Sequence, residues 1–264
     1  SSMAKVIIKE LQNFKKQYAK ERRTEIDNLK EAVVVEKKIE EQDVVFLMDR
    51  FGYAKTVDTS VYERNKETAD AENRYIFTCK NTDKICIFTD KGQMHLLKVL
   101  DLPYGKFRDK GTPIDNVCNY DSKEENFVYI ASLEQVSSHR LVFGTAQSML
   151  KVVDGAEFVV AKKTPAATKL ADGDEVLTVR ALEGDETLVM CSHKDMFLRI
   201  DCEQIPQKKK SAVGVRGMKL AAGDTLKHIY VLHEGENADV EVKGKMIALN
   251  RLHIGNRDTK GVRK

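Results

Sequence analysis

One local pattern recurs along this 264-residue chain and limits what it can become. Its clearest copy runs from Asp43 to Val57: the apolar Val44-Val45-Phe46-Leu47 enters a turn at Gly52, and a shorter apolar run leaves carrying Lys55. Aligning the turns places Gly52, Gly92, Ser148, Met196 and Gly244 at one position, separated by 40, 56, 48 and 48 residues. The runs ahead of the later turns are Ile85–Phe88, Leu141–Phe143, Leu188–Cys191 and the weaker Val240–Val242. Three places beyond the turn stand Lys55, Lys151 and Arg199 in the first, third and fourth units, His95 in the second and Ile247 in the fifth. A second marker precedes some units, as Gly173-Asp174 and Gly223-Asp224, with Pro113-Ile114-Asp115 as a looser relative.

Apolar runs on either side of a turn residue read as hairpins. A period of about 40–50 residues with four short strands per unit is that of a propeller-like array. One blade cannot bury both faces of its sheet, so neighbours must stack. The expectation is an all-β fold, a five-bladed β-pinwheel or propeller-like ring over residues 43–264, preceded by an N-terminal α-helix.

Ahead of the repeats, Ile7, Leu11, Phe14 and Tyr18 form an apolar stripe on a charged rod, the spacing of a helix. Residues 1–32 read as a helix from the end of an upstream domain. Residues 33–42, entered through the β-branched Val33-Val34-Val35, read as a linker.

The net charge of +3 conceals an uneven distribution. From Gln204 to Gly223 stand Lys208, Lys209, Lys210, Arg216 and Lys219 with no acid between them. From Lys243 onward, Lys245, Arg251, Arg257, Lys260 and Arg263 face Asp258 alone. Like-signed blocks of this kind create a local field that the net charge does not report. No apolar run approaches the roughly 18 residues of a membrane span, and no signal peptide is read. The five cysteines never stand as Cys-x-x-Cys, so a cytosolic protein with reduced thiols is expected rather than a disulfide framework or a zinc site.

The six histidines are scattered. Phosphate-loop, nucleophile-elbow and metalloprotease motifs are missing. No catalytic residue, metal or cofactor is therefore expected. With no Trp, and with Phe46, Phe77, Phe88, Phe127, Tyr129 and Phe143 inside apolar runs, the aromatics read as core and not as a base-stacking platform.

Two stretches together resemble a known family. Gln17-Tyr18-Ala19-Lys20-Glu21-Arg22-Arg23-Thr24-Glu25-Ile26 is similar to the close of the breakage-reunion domain in type IIA topoisomerase A subunits. The repeats, with Gly52-Tyr53-Ala54-Lys55 and the Gly-Asp leads, resemble the C-terminal β-pinwheel of the same subunits. That resemblance implies blades that exchange strands and a basic rim that binds and bends duplex DNA. It also implies that the cleaving tyrosine and the ATPase B subunit lie outside this chain. Gyrase carries a glycine-rich basic box after its first hairpin; here Tyr62 to Arg74 mixes acids with bases and contains no glycine. The resemblance therefore favours a topoisomerase IV-like A subunit over gyrase.

Duplex DNA is a dense line of charge, and each cation placed at a phosphate releases counterions. Bending it costs on the order of 1–6 kcal/mol, so many modest contacts are needed. The candidate contacts are Lys55, Lys151, Arg199, Lys208, Lys209, Lys210, Arg216, Lys219, Lys245 and Arg251. The expected partners are duplex DNA, the rest of the A subunit and the B subunit, with no membrane and a monomeric isolated domain. Two other readings compete. One is a protein-interaction propeller, although the commonest such family carries a Trp-Asp signature that a chain without Trp lacks. The other is a gyrase domain with a degenerate box.

Overall fold

The computed structural model describes residues 2–18 and 39–264, in two units, Ser1–Ile39 and Glu40–Lys264. In the first, α1 (Ser2–Tyr18) carries the expected stripe, with Ile7, Leu11, Phe14 and Tyr18 all exposed. The continuation of that helix to residue 32 and the linker up to residue 38 lie outside the described residues.

The second unit is built from hairpins. β1 (Asp43–Met48) and β2 (Tyr53–Asp58) form the first, followed by α2 (Thr59–Arg64), α3 (Lys66–Glu72) and β3 (Tyr75–Lys80), which pairs with β1. β4 (Lys84–Thr89) and β5 (Met94–Lys98) form the second, followed by the short β6 (Thr112–Pro113) and β7 (Phe127–Ser132). After α4 (Leu133–Ser137) comes the third hairpin, β8 (Arg140–Thr145) and β9 (Met149–Asp154), and then β10 (Val176–Leu182). β11 (Thr187–Ser192) and β12 (Met196–Asp201) make the fourth, followed by β13 (Val215–Arg216) and β14 (Leu226–Leu232). The fifth is β15 (Asp239–Val242) with β16 (Lys245–Ala248), followed by β17 (Ile254–Gly255) and β18 (Val262–Arg263).

The chain does not finish one sheet before starting the next. After each hairpin from the second onward it reaches back to the preceding sheet and pairs with that sheet's outer edge. β6 pairs with β2, β13 with β9, and β17 and β18 with β12, while Gln93 bridges Ala166 in the second sheet. All four prolines of the chain, Pro103, Pro113, Pro165 and Pro206, fall in these exchanged segments. That placement follows from their missing N–H, which an edge tolerates and a central strand does not.

Alternation along the hairpin strands gives each sheet two apolar faces. Phe46 and Met48 of the first sheet pack on Ile85 and Ile87 of the second, whose Cys86 and Phe88 pack on Leu141 and Phe143 of the third. Val142 and Val152 then meet Leu188 and Met190 of the fourth, and Val189 and Phe197 meet Val240 and Ile247 of the fifth. On the first sheet the remaining face, Val45, Leu47 and Val57, is covered by Val61, Tyr62 and Ala69 of α2 and α3. The sequence reads as nearly all strand after the first helix, and α2 and α3 are exceptions that it does not signal. The helices form because Asp58 caps α2 by accepting the Ser60 N–H at 2.8 Å, and because an apolar face here needs cover.

Four of the five cysteines are buried and all are free. Burial pushes the Cys79 and Cys202 thiols up to about 12, so they carry almost no thiolate at neutral pH and are poor nucleophiles.

The second core turns on Phe88, fully buried with Phe158 at 5.3 Å and Phe143 at 6.0 Å, both edge-on. Replacing Phe88 with Ala is expected to destabilise the second unit by about 3–5 kcal/mol, read as a lower urea midpoint with an unchanged slope.

Candidate nucleic-acid interface

In the first, third and fourth sheets the exchanged segment touches the outer hairpin strand at two separate places, whereas in the second it pairs continuously through Lys163, Pro165 and Ala166. In the first sheet, Thr56 N–H donates to Pro103 O at 2.9 Å and Thr56 bridges Tyr104 in parallel; the segment returns antiparallel, with Thr112 opposite Ala54. In the third sheet, Val152 N–H donates to Pro206 O at 3.1 Å, Val152 bridges Gln207, and Val215 returns opposite Leu150. Residues 106–110 and 208–213 are therefore equivalent arches over the rim. Glycine lets each arch close. A Cβ on Gly111 would lie 2.7 Å from Ala54 O, and one on Gly214, whose φ is +108°, 2.5 Å from Leu150 O.

Under these two arches, in the first and third sheets, sits a hairpin lysine. Lys151 is 1% exposed; its Nζ donates to Ala212 O at 2.6 Å and Lys210 O at 2.8 Å, with Lys209 O at 3.4 Å. Lys55 Nζ donates to Phe107 O at 2.6 Å and Asp109 O at 3.0 Å and lies 4.9 Å from the Phe107 ring centre. Lysine suits the position, with a long apolar stem and three donors. Both residues were expected at phosphates. Instead, Lys151 is sealed from solvent, and the Lys55 ammonium turns to the backbone of its own rim.

The fourth unit departs from the expected alignment. Its left-handed turn residue is Asp195, with φ of 57°, and not Met196. Leu198, opposite Met190, therefore corresponds to Lys151 opposite Phe143, and Arg199 is displaced to the other face of its sheet. Arg199 nevertheless binds backbone too, donating to Asn250 O at 2.5 Å and Leu252 O at 3.2 Å. In the second unit His95 replaces the lysine, buried between Glu125 at 2.6 Å and Thr164 at 3.3 Å.

The remaining candidates lie outside. Lys208, Lys209, Arg216, Lys219, Lys245 and Arg251 are exposed, and Lys210 is half-buried. The acid-free stretch is not acid-free in space. Glu157 stands 3.7 Å from Lys209 and accepts the Lys210 N–H, while Asp258 pairs with Arg216 at 2.5 Å. The arginine holds the Asp258 carboxyl below its ordinary range. Among the described residues, no acid forms a hydrogen bond or ion pair with the ammonium of Lys208 or Lys219.

Sequence reasoning missed the first arch, where Lys106, Arg108 and Lys110 are exposed beside Asp109. A signal existed in the sequence. Gly214-Val215-Arg216 recurs as Gly261-Val262-Arg263, with Gly111-Thr112-Pro113 as a third copy, and each marks the return of an exchanged segment.

Among the described residues, one group could approach a metal ion: Asp185, Glu186 and His233. Both Glu186 oxygens already accept backbone N–H groups, from Glu183 and Gly184. His233 Nδ1 lies 3.3 Å from Asp185, whose hydrogen bond holds the imidazole above its ordinary pKa. The group is a clamp between two turns.

Comparison with known proteins places this geometry. Residues 139–183 and 186–233 match the family model described as DNA gyrase C-terminal domain, beta-propeller. The sequence is 26% identical to the DNA gyrase A subunit of Lawsonia intracellularis, over 97% of this chain and 34% of that protein. It is 28% identical to the A subunit of Clostridium acetobutylicum gyrase, over 80% of this chain and 27% of that protein. Among solved structures, the C-terminal domain of DNA topoisomerase IV superposes with a TM-score of 0.74 at 20% identity, covering 85% of this chain and 73% of that one. The E. coli ParC C-terminal domain gives 0.68 at 14%, covering 84% and 94%, and the DNA gyrase A C-terminal domain 0.56 at 16%, covering 84% and 76%.

The chain resembles the C-terminal domain of type IIA topoisomerase A subunits. It shares their pinwheel fold and spans about a third of the length of the curated relatives it matches.

Lys151 gives the site a pH signature. Burial pulls its ammonium down from an ordinary value near 10.5 to about 8. Between those values the unfolded chain holds more protons than the folded one, so the contribution of this residue to stability rises with pH across that window and is flat below it. The raised thiols of Cys79 and Cys202 work in the opposite direction above pH 9, so the test is a difference: from pH 7 to pH 10 the urea midpoint of the wild type should gain on that of Lys151→Met.

Proposed function

We propose that this chain is the duplex-binding domain of a bacterial type II topoisomerase A subunit, holding and bending DNA along its rim during strand passage. The observation that carries the reading is the pair of equivalent arches, each lifting lysines or arginine off the sheet edge into solvent. Contacts of this kind go to phosphates and carry no base readout. The likeness to gyrase A subunits over nearly the whole chain supports the same assignment.

In this reading the chain does no chemistry of its own. The cleaving tyrosine and ATP turnover belong to the rest of the A subunit and to a B subunit, in the cytoplasm. No helix among the described residues is long and apolar enough to cross a membrane. α2 and α3 occupy the stretch after the first hairpin where gyrase carries its glycine-rich box, which favours positioning of DNA without tight handed wrapping. The two curated relatives compared above are DNA gyrase A subunits, and a topological assay separates the two readings.

Duplex affinity should fall with salt, and Lys208→Glu with Lys209→Glu should weaken binding and lower the salt slope by roughly 0.9 for each phosphate no longer neutralised, measured by fluorescence anisotropy across a salt series. Unchanged affinity would sink the rim assignment. Relaxing bound circular DNA should leave little linking-number change; a large shift of one hand would mean gyrase-type wrapping.

A further inference from the structure

We infer that Lys151 and Lys55 are positioning residues for duplex binding: each fixes the arch that presents the cations of its rim while touching no DNA itself. This rests on the duplex-binding reading above and adds to it the internal device that shapes the binding surface.

Two arches far apart in sequence are built alike. Lys55 stands opposite Leu47 and Lys151 opposite Phe143, the same place in each hairpin. Among the described residues, each ammonium hydrogen-bonds only to backbone carbonyls of the arch above it, at residues 107 and 109 in one and 209, 210 and 212 in the other. An arch bows away from its sheet and cannot satisfy these carbonyls by strand pairing. Lys209 O has a second donor, the Ala212 N–H at 3.0 Å; for the other four carbonyls the ammonium is the donor, and a charged donor favours the conformation in which they converge.

The residues carrying those carbonyls are the rim residues themselves, or their neighbours. Lys209 and Lys210 offer their own oxygens to Lys151, while Lys208 is pinned beside them by its N–H to Val152 O at 2.8 Å. In the first arch, Phe107 and Asp109 alternate with Lys106, Arg108 and Lys110. Fixing every second peptide there fixes where the three cations stand. Ordering the arch before DNA arrives removes an entropy cost from binding. One inner lysine thus sets the affinity contributed by several outer ones, and 106–110 becomes a second DNA-facing segment.

The device is specific to these two blades. In the second blade the inner group is His95, held by Glu125, and in the fourth the equivalent residue is Leu198. Glu157 is the charged group facing Lys151 from the adjoining segment, and it anchors Lys209 and Lys210 from the other side.

The test measures duplex affinity of the 264-residue chain for Lys151→Met, Lys151→Arg, the pair Lys208→Glu/Lys209→Glu, and the triple combination Lys151→Met/Lys208→Glu/Lys209→Glu. Positioning predicts that Lys151→Met loses about tenfold in affinity, that Lys151→Arg recovers most of it, and that Lys151→Met adds little once Lys208 and Lys209 are reversed. Amide hydrogen exchange at residues 208–213 should speed up in Lys151→Met alone. If Lys151→Met binds as tightly as wild type while the Lys208/Lys209 pair is impaired, the positioning role is wrong and the duplex reading stands. If the pair also binds like wild type, the duplex reading itself fails. Additive losses would mean that Lys151 acts independently of its arch and would equally overturn the inference. Should Lys151→Met not fold, the same cycle runs on Lys55→Met against Lys106→Glu/Arg108→Glu, and is judged by the same outcomes.

Discussion

A hairpin with apolar side chains on both faces cannot stand alone in water, and the second unit is the consequence of satisfying that constraint repeatedly. Each sheet offers one face backward and one forward, and the cores run from first to second, second to third, and on to the fifth. The series has to begin somewhere. On the first sheet the backward face, Val45, Leu47 and Val57, is covered by α2 and α3, which take the place of a preceding blade. The outer side of that helix pair is polar, with Glu63, Arg64, Lys66, Glu67 and Asp70 exposed, so it ends the stacking there.

Charge is divided between two roles that sequence composition does not separate. Inner bases, Lys55, Lys151 and Arg199, bind backbone carbonyls. Outer bases, such as Lys208, Lys219 and Lys245, face solvent. The physical difference is place: Lys55 and Lys151 stand on hairpin strands under the exchanged segment, whereas Lys208 and Lys219 stand outside the strands, on the exchanged segment itself. A basic residue at a fixed distance from a turn is therefore a poor guide to what touches a ligand. It marks the position that the returning backbone must cross.

The hairpins, their number and the all-β class were legible because period-two alternation and turn residues are local signals. The start of the first strand at Asp43 and the two strands around Gly52 follow from that pattern. What was not legible required knowing which segments meet. Glu157 and Asp258 neutralise parts of a stretch that is acid-free in sequence, because exchange brings residues more than forty positions away onto the same rim. The helices after Asp58 were hidden because their apolar positions are few and their stability comes from the sheet they cover. The one-residue slip at Met196 had a definite cause: Asp195 takes the left-handed conformation that glycine takes in the first two turns, and aspartate does not announce it.

Strand exchange gives the array a direction. The outer edge of each of the first four sheets is closed by a segment that follows the next hairpin, as β6 closes β2 and β13 closes β9. A blade emerging during synthesis therefore keeps an open edge until its successor has been made. The same ordering makes the units unequal under stress: losing a later hairpin strips the edge of the one before it, whereas losing an earlier one leaves the later edges paired. Local opening should spread toward the N-terminus more readily than away from it, a polarity that a simple stack of self-contained repeats would lack.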